Sequence, residues 1–340
     1  MLKDAVYAAL ELSEHRRTQR RAFLKTAATS SLAVGGLSLL AACDDDDDGA
    51  VVTPSPTPAP TPAPGVAYTD GDLLNYALNL EYLEAQYYSI AALGRALPES
   101  SLSGTVGTRG AVTGGRKVAF QDRGIAAIAR EIALDEIAHV ELLRTAIGSS
   151  VIAQPALNID GGATGAFTAA ARAARIIGPN DTFDPYSSED NFLLGAFILE
   201  DVGVTAYKGA ARLLVDLDVL ETAAGLLAAE SYHAALVRTG LYARGRMTPS
   251  FRTSTNAISD ARDSLDGTSD IDQGTLTLLN GGGTTANIVP SNSDGVAFGR
   301  TPEQTHNIAY LRATAGIGGG FFPAGTNNRV ESLRVSGANG

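Results

Sequence analysis

Four glutamates, each set in the apolar stripe of a helical segment, constrain this chain more than any other feature. Glu136 has Ala129, Ile132, Ala133, Val140 and Leu143 at −7, −4, −3, +4 and +7, the positions that share its helical face. Glu230 is framed in the same way by Ala223, Leu226, Leu227, Ala234 and Val237, Glu200 by Leu193, Ala196, Phe197, Val204 and Tyr207, and Glu81 by Leu74, Ala77, Leu78, Ala85 and Tyr88. Such a stripe faces a core, where an uncompensated carboxylate costs several kcal/mol even after relaxation. None of the four stripes contains Lys or Arg, so protons or bound cations must meet the charge. Two divalent ions would cancel four carboxylates.

Two of these segments read Glu-x-x-His: Glu136-Ile137-Ala138-His139 and Glu230-Ser231-Tyr232-His233. That spacing puts a carboxylate and an imidazole on one face about a turn apart, where they can share a metal. A third pair, Glu303/His306, follows Pro302 at the start of a short helix and has no companion glutamates, so it reads as a structural core histidine. The other two segments share a Leu-Glu-x6-Tyr spacing, Leu80-Glu81 with Tyr88 and Leu199-Glu200 with Tyr207. This internal match selects Glu81 over Glu84, whose stripe is also apolar, and leaves Glu84 as a supporting group or an alternate ligand. Tyr88 and Tyr207 read as core tyrosines able to orient the carboxylates, and Asp135 and Glu131 as solvated or supporting groups.

The periodicity predicts helices from Leu73 to about Leu93, Lys117 to Ile147, Glu189 to Val215, and from a capping box at Asp218 and Glu221 to about Tyr242. A Gly/Pro-punctuated stretch, 148–188, carries a short helix from Ala166 to Ile177. Four long helices with one long crossover describe an all-α crossover four-helix bundle over residues 69–246. Residues 247–340, rich in Gly, Asn, Ser and Thr, are expected to be an irregular carboxyl-terminal extension packed on the bundle.

The first 42 residues read as an address rather than as structure. Arg20-Arg21-Ala22-Phe23-Leu24-Lys25, a modestly apolar run, and then Leu40-Ala41-Ala42-Cys43 resemble a twin-arginine signal ending in a lipoprotein box. The resemblance implies use of the twin-arginine export machinery, lipidation of Cys43 and an extracytoplasmic, membrane-anchored protein in the periplasm or cell envelope; the alternative is an uncleaved anchor with an incidental cysteine. Residues 43–68 follow as a stalk: five aspartates, then Thr53 to Pro64 with proline at every second position, a polyproline II spacer. Removing residues 1–42 takes away six Lys/Arg and three acids, moving the formal charge from −11 to −14. That charge, with no basic cluster in the body, argues against nucleic acid as a partner. A single cysteine excludes thiolate zinc and iron–sulfur chemistry.

A Glu helix, a Glu-x-x-His helix, a crossover, a Glu helix and a Glu-x-x-His helix resemble the ferritin-like di-iron or di-manganese carboxylate superfamily. The segments ALNLEYLEAQYY, DEIAHVELL, FILEDVGVTAY and AAESYHAALV, with FGRTPEQTHNIAYL and GGGFFPAGTN near the carboxyl end, are most similar to its desiccation-related branch. The likeness runs over about residues 69–330 and departs from the branch at His306, where an apolar residue is expected. It implies that Glu81, Glu136, His139, Glu200, Glu230 and His233 hold two iron or manganese ions, a choice the ligand types leave open. Three functions stay open: a di-metal oxidoreductase of the ferroxidase, peroxidase or manganese-catalase kind, a metal-binding protein without turnover, and a structural protein of desiccation or envelope stress. Homo-oligomerisation is compatible with each, although a lipid anchor and long tail disfavour a closed storage shell.

Overall fold

The computed structural model describes residues 68–278 and 283–338; the signal motifs at Arg20, Arg21 and Cys43 and the Asp/Pro stretch up to residue 67 lie outside the described residues. Among the described residues there are seven α-helices: α1 (Asp70–Tyr88), α2 (Arg123–Ile147), α3 (Ala166–Ala173), α4 (Glu189–Ala211), α5 (Leu217–Arg244), α6 (Ser250–Asp266) and α7 (Pro302–Ala309). The fold is the expected all-α bundle. Helices α1 and α2 pack as one pair and α4 and α5 as another, with α1 against α4 and α2 against α5 closing the four. The crossover between α2 and α4 carries α3 and a short strand, β2 (Leu157–Asn158), which pairs in parallel with β1 (Val112–Thr113). No helix among the described residues is long and apolar enough to cross a membrane.

Side-chain caps set the ends of the long helices. Thr69 and Asp72 form a reciprocal capping box at the start of α1. Helix α2 begins at Arg123 rather than near Lys117, because the Asp122 carboxylate accepts the N–H groups of Gly124 and Ile125 while the Val118 N–H is spent on the carbonyl of Ala91. Helix α4 stops at Ala211 rather than Val215. The cap of α5 is Asp216, which accepts from Asp218 and Val219, so the expected box at Asp218 and Glu221 lies inside the helix. Helix α3 ends at Ala173, short of Ile177, where the chain turns through Arg175 at φ 55°. After Tyr88, α1 widens into one π-turn, Ser89–Leu93, closed by Gly94 at φ 73°.

The carboxyl-terminal extension is more ordered than its composition predicts. It contains α6, an antiparallel hairpin of β3 (Leu276–Leu278) and β4 (Thr284–Ala286), and α7. Helix α6 escaped the apolar pattern because its buried stripe is mostly polar: Thr255, Ile258, Ser259, Arg262 and Asp266. Arg262 and Asp266, with Ser259 donating to Asp272, belong to a buried network of three arginines and three aspartates, all six of them at most 3% exposed. Asp201 on α4 accepts from Arg238 on α5 at 2.8 Å and from Arg262 on α6 at 2.9 Å. Arg262 also meets Asp272 at 2.8 Å, and Arg300 joins Asp266 at 2.5 Å and Asp272 at 2.6 Å. The network fastens the extension to α4 beside Glu200. A second fastening is Asn327, whose backbone exchanges hydrogen bonds with the Asn79 amide and whose side chain donates to the carbonyls of Thr108 and Ala153.

Candidate metal centre

The bundle turns its four stripe glutamates onto one another. Glu81, Glu136 and Glu230 are fully buried and Glu200 is 1% exposed. His139 Nδ1 lies 3.2 Å from Glu81 Oε2, 3.6 Å from Glu136 Oε2 and 3.6 Å from Glu230 Oε1. His233 Nδ1 lies 3.0 Å from Glu136 Oε1 and 4.0 Å from both Glu200 Oε2 and Glu230 Oε1. Glu136 thus presents one oxygen to each histidine, and Glu230 faces both. The two imidazoles stack with centroids 5.8 Å apart.

Two tyrosines fix the outer carboxylates, and they do so crosswise. Tyr88 on α1 donates its hydroxyl to Glu200 on α4, and Tyr207 on α4 donates to Glu81 on α1. The Leu-Glu-x6-Tyr spacing therefore makes each helix hold the other's glutamate. These bonds occupy one oxygen of Glu81 and one of Glu200. The second oxygen of each, both oxygens of Glu136 and of Glu230, and the Nδ1 atoms of both histidines are left buried without a hydrogen-bond partner. Eight orphaned polar atoms converging from four helical stripes that contain no Lys or Arg would be costly unless an ion sits among them. They form two groups whose ligand atoms lie within 4.8 Å of one another: Glu81, Glu136, His139 and Glu230, and Glu136, Glu200 and His233. Carboxylate oxygen and imidazole nitrogen at that spacing suit first-row divalent metals, with Glu136 common to both groups.

Electrostatics show the same crowding. Burial and the charge of Glu136 push Glu81 up to about 7, and burial, with Glu136 again opposing ionisation, pushes Glu200 up to about 8. Burial and neighbouring carboxylates likewise raise Glu230 and Glu84 well above the usual range. Glu136 moves the other way: burial alone would raise it, but contact with His139 and His233 holds it below the ordinary carboxylate range. Burial disfavours the charged imidazoles, yet Glu81 and its neighbours hold the His139 proton far above the usual value, and Asp135 with Glu136 pushes His233 up to about 11.

Three further residues complete the surroundings. Asp135 Oδ2 lies 3.5 Å from His233 Nε2, so it supports the histidine of the opposite Glu-x-x-His helix rather than its own. Glu84 is buried at 3% exposure beside the cluster and belongs to neither ligand-distance group. Gly203 on α4 was not singled out by sequence reasoning: a Cβ there would sit 2.4 Å from Glu230 Oε2 and 3.2 Å from Glu84 Oε1. The signal was present in the internal match, where the position of Glu84 after Glu81 corresponds to Gly203 after Glu200. His306 lies apart from this centre, with Nδ1 2.7 Å from the Pro302 carbonyl and Nε2 2.9 Å from Thr326 Oγ1, and burial lowers its pKa to about 4.

A crossover bundle with paired Glu-x-x-His helices and an inward carboxylate cluster defines a ferritin-like protein, and residues 69–243 match the family described as Ferritin-like domain. The chain belongs to that family, in its desiccation-related branch. It is 28% identical over 274 residues to the ferritin-like catalase Nec2 of Nesocodon mauritianus, covering 78% of this chain and 86% of that protein. It is also 28% identical over 273 residues to the desiccation-related protein PCC13-62 of Craterostigma plantagineum, covering 78% and 85% respectively. No solved structure matches the chain.

Proposed function

We propose that the protein holds a dinuclear iron or manganese centre and disproportionates hydrogen peroxide. The observation that carries this reading is the set of eight orphaned ligand atoms, in which Glu136 and Glu230 each face both histidines. Glu81, Glu136, His139 and Glu230 would hold one ion, and Glu136, Glu200 and His233 the other. When bound, two such ions supply a two-electron couple through which two hydrogen peroxide molecules become two waters and one dioxygen. The chain's own residues do the rest. Tyr88 and Tyr207 orient Glu200 and Glu81 by donating to one oxygen of each, leaving the other for the ion. Asp135 sets the orientation of the His233 ring. The apolar stripes exclude bulk water, which strengthens every electrostatic contact inside. The named catalase relative supports peroxide over other oxidants.

The test compares peroxide consumption per bound metal in the wild type and in Glu136→Ala/Glu230→Ala. The reading expects oxygen evolution from the first at one O2 per two peroxides, and loss of paired metal and of turnover in the second. Equal rates per metal, with iron and again with manganese, would refute it. The relative named desiccation-related supports a second reading, in which the bundle is a stress-protection scaffold without turnover; it tolerates an empty site and expects no oxygen at any metal content.

We also propose export by the twin-arginine route and anchoring through lipidated Cys43, on the strength of the Arg20-Arg21 and Leu40-Ala41-Ala42-Cys43 motifs alone. Cys43→Ser should then release soluble protein from the membrane fraction, and unchanged membrane association would remove the lipid anchor.

A further inference from the structure

We propose that the outward face of α5 is a dimer interface, on which two copies of this chain pack antiparallel about an axis near residue 230. Between Glu221 and Arg244 the charge-bearing side chains of α5 are Glu230, His233 and Arg238, each at most 3% exposed. Residues 222–243 therefore turn about 33 Å of uncharged surface outward, at 1.5 Å per residue. The neighbouring α2 has an ordinary solvent face, with Arg130, Glu131 and Glu141 exposed. A helix without charge on its outer as well as its inner side is built to be covered on both.

Two features of this face have no reason within one chain. Tyr232 projects from its middle at 73% exposure. Gly225 is exposed inside the helix, where glycine is destabilising relative to alanine, and a Cβ there would meet nothing within 4 Å. Close approach of another body supplies the reason for both. Beside Tyr232 lies a recess of about 220 Å³ between α4, α5 and the carboxyl-terminal extension, with Val204, Ala234, Ala235, Val289 and Phe298 in its walls. A dry apolar cavity of about 150 Å³ holds a benzene ring, so this recess has room for a phenol.

The occupant is a second copy because the face complements itself. Its small residues Ala224, Gly225 and Ala228 lie before residue 230, and its large ones, Tyr232 and Leu236, lie after it. Antiparallel packing about that point sets Tyr232 against the partner's Ala228 and Leu236 against the partner's Ala224, and the twofold axis makes each contact twice. The ring of Tyr232 is thereby carried toward the partner's recess. With a formal charge of −11 on each chain, two copies repel unless they meet where neither presents charge. The width of α5, about 10–12 Å, with a flank of similar width over the recess where Val289 is 68% exposed, gives roughly 700 Å², close to the ~800 Å² per partner of a standard interface. A lipid surface is a poorer match, since an interfacial helix sets Lys and Arg opposite a row of bulky apolar residues, and this face offers small ones.

Sedimentation velocity of the full chain carrying Cys43→Ser, which also leaves it free of cysteine, tests the interface. At about 10 µM it should run as a dimer of twice the 35.0 kDa chain mass, and about 1 M NaCl should not dissociate it, because the contact is apolar. Ala228→Arg, at an exposed position, should weaken association roughly 100-fold or more, with Ala224→Glu as the second variant should the first fail to fold. Thr145→Arg, exposed on α2, should leave the dimer intact. Mixed Ala228→Cys and Tyr232→Cys chains should cross-link to each other under mild oxidation faster than either does to itself, since a disulfide needs Cα atoms about 4.4–6.8 Å apart. A chain that stays monomeric at about 100 µM overturns the proposal, whether or not it binds phosphatidylcholine vesicles instead, and so does a dimer that survives both Ala228→Arg and Ala224→Glu.

Discussion

Gly203→Ala sets two effects of known size against each other. Replacing a helix-interior glycine by alanine stabilises by about 1 kcal/mol where the new methyl group meets nothing. Here it meets Glu230 Oε2 at 2.4 Å, whereas heavy atoms prefer separations of about 3.5 Å or more. The carboxylate must retreat by about 1 Å, and Glu84 Oε1 at 3.2 Å closes one direction of escape. Overpacking a core at this scale costs about 1–3 kcal/mol, so chelator-treated protein should change little or lose up to about 2 kcal/mol. Metal binding is more sensitive, because ligands must be held within about 0.5 Å of their working positions. The expected result is a loss of roughly 10- to 100-fold in affinity for at least one ion, the range typical of disturbing a ligand's support. Calorimetric titration of the chelated protein with Mn(II), alongside urea unfolding, measures both quantities. A variant that binds two ions with wild-type affinity and gains about 1 kcal/mol of stability would refute the reasoning.

Two further outcomes follow from the buried charges. Arg300→Ala deprives the fully buried Asp266 carboxylate of its ion-pair partner, while Asp272 keeps Arg262; it should cost roughly 3–5 kcal/mol in urea unfolding, and adding Asp266→Ala should recover part of the loss, whereas a cost under about 1 kcal/mol would show that the network does not fasten the extension. In chelated protein burial and the Glu136 charge push Glu81 up to about 7 and Glu200 up to about 8, above the ordinary carboxylate range of the unfolded chain, so the folded state binds more protons in that window and stability should fall as pH rises from about 5 to 8. Metal-loaded protein should not show this fall, because the ions replace the protons, and a chelated form equally stable at both ends would contradict the shifts.

The sequence carries the site further than it carries the extension. A stripe of apolar residues around a carboxylate is a periodic signal, so Glu81, Glu136, Glu200 and Glu230 could each be placed on an inward face, and Glu-x-x-His puts its two groups on one face whatever the tertiary arrangement. The crosswise partners of Tyr88 and Tyr207 were not legible, since spacing along a helix says nothing of which neighbour a hydroxyl reaches. The support given by Asp135 to His233 was hidden for the same reason. Helix α6 was missed because its buried face is held by charge pairs rather than by apolar contact, and Asp218 was preferred to Asp216 as a cap because both sit two residues apart in the same acidic turn. Gly203 was readable only after the two helix pairs are aligned on their glutamates.

Anomalous diffraction from crystals of the metal-loaded protein, collected on both sides of the iron and manganese absorption edges, tests the central claim most directly. The account predicts two peaks about 3.5–4 Å apart with Glu136 and Glu230 between them, one beside His139 and one beside His233. A single peak, or none within reach of these six side chains at full metal loading, would contradict it.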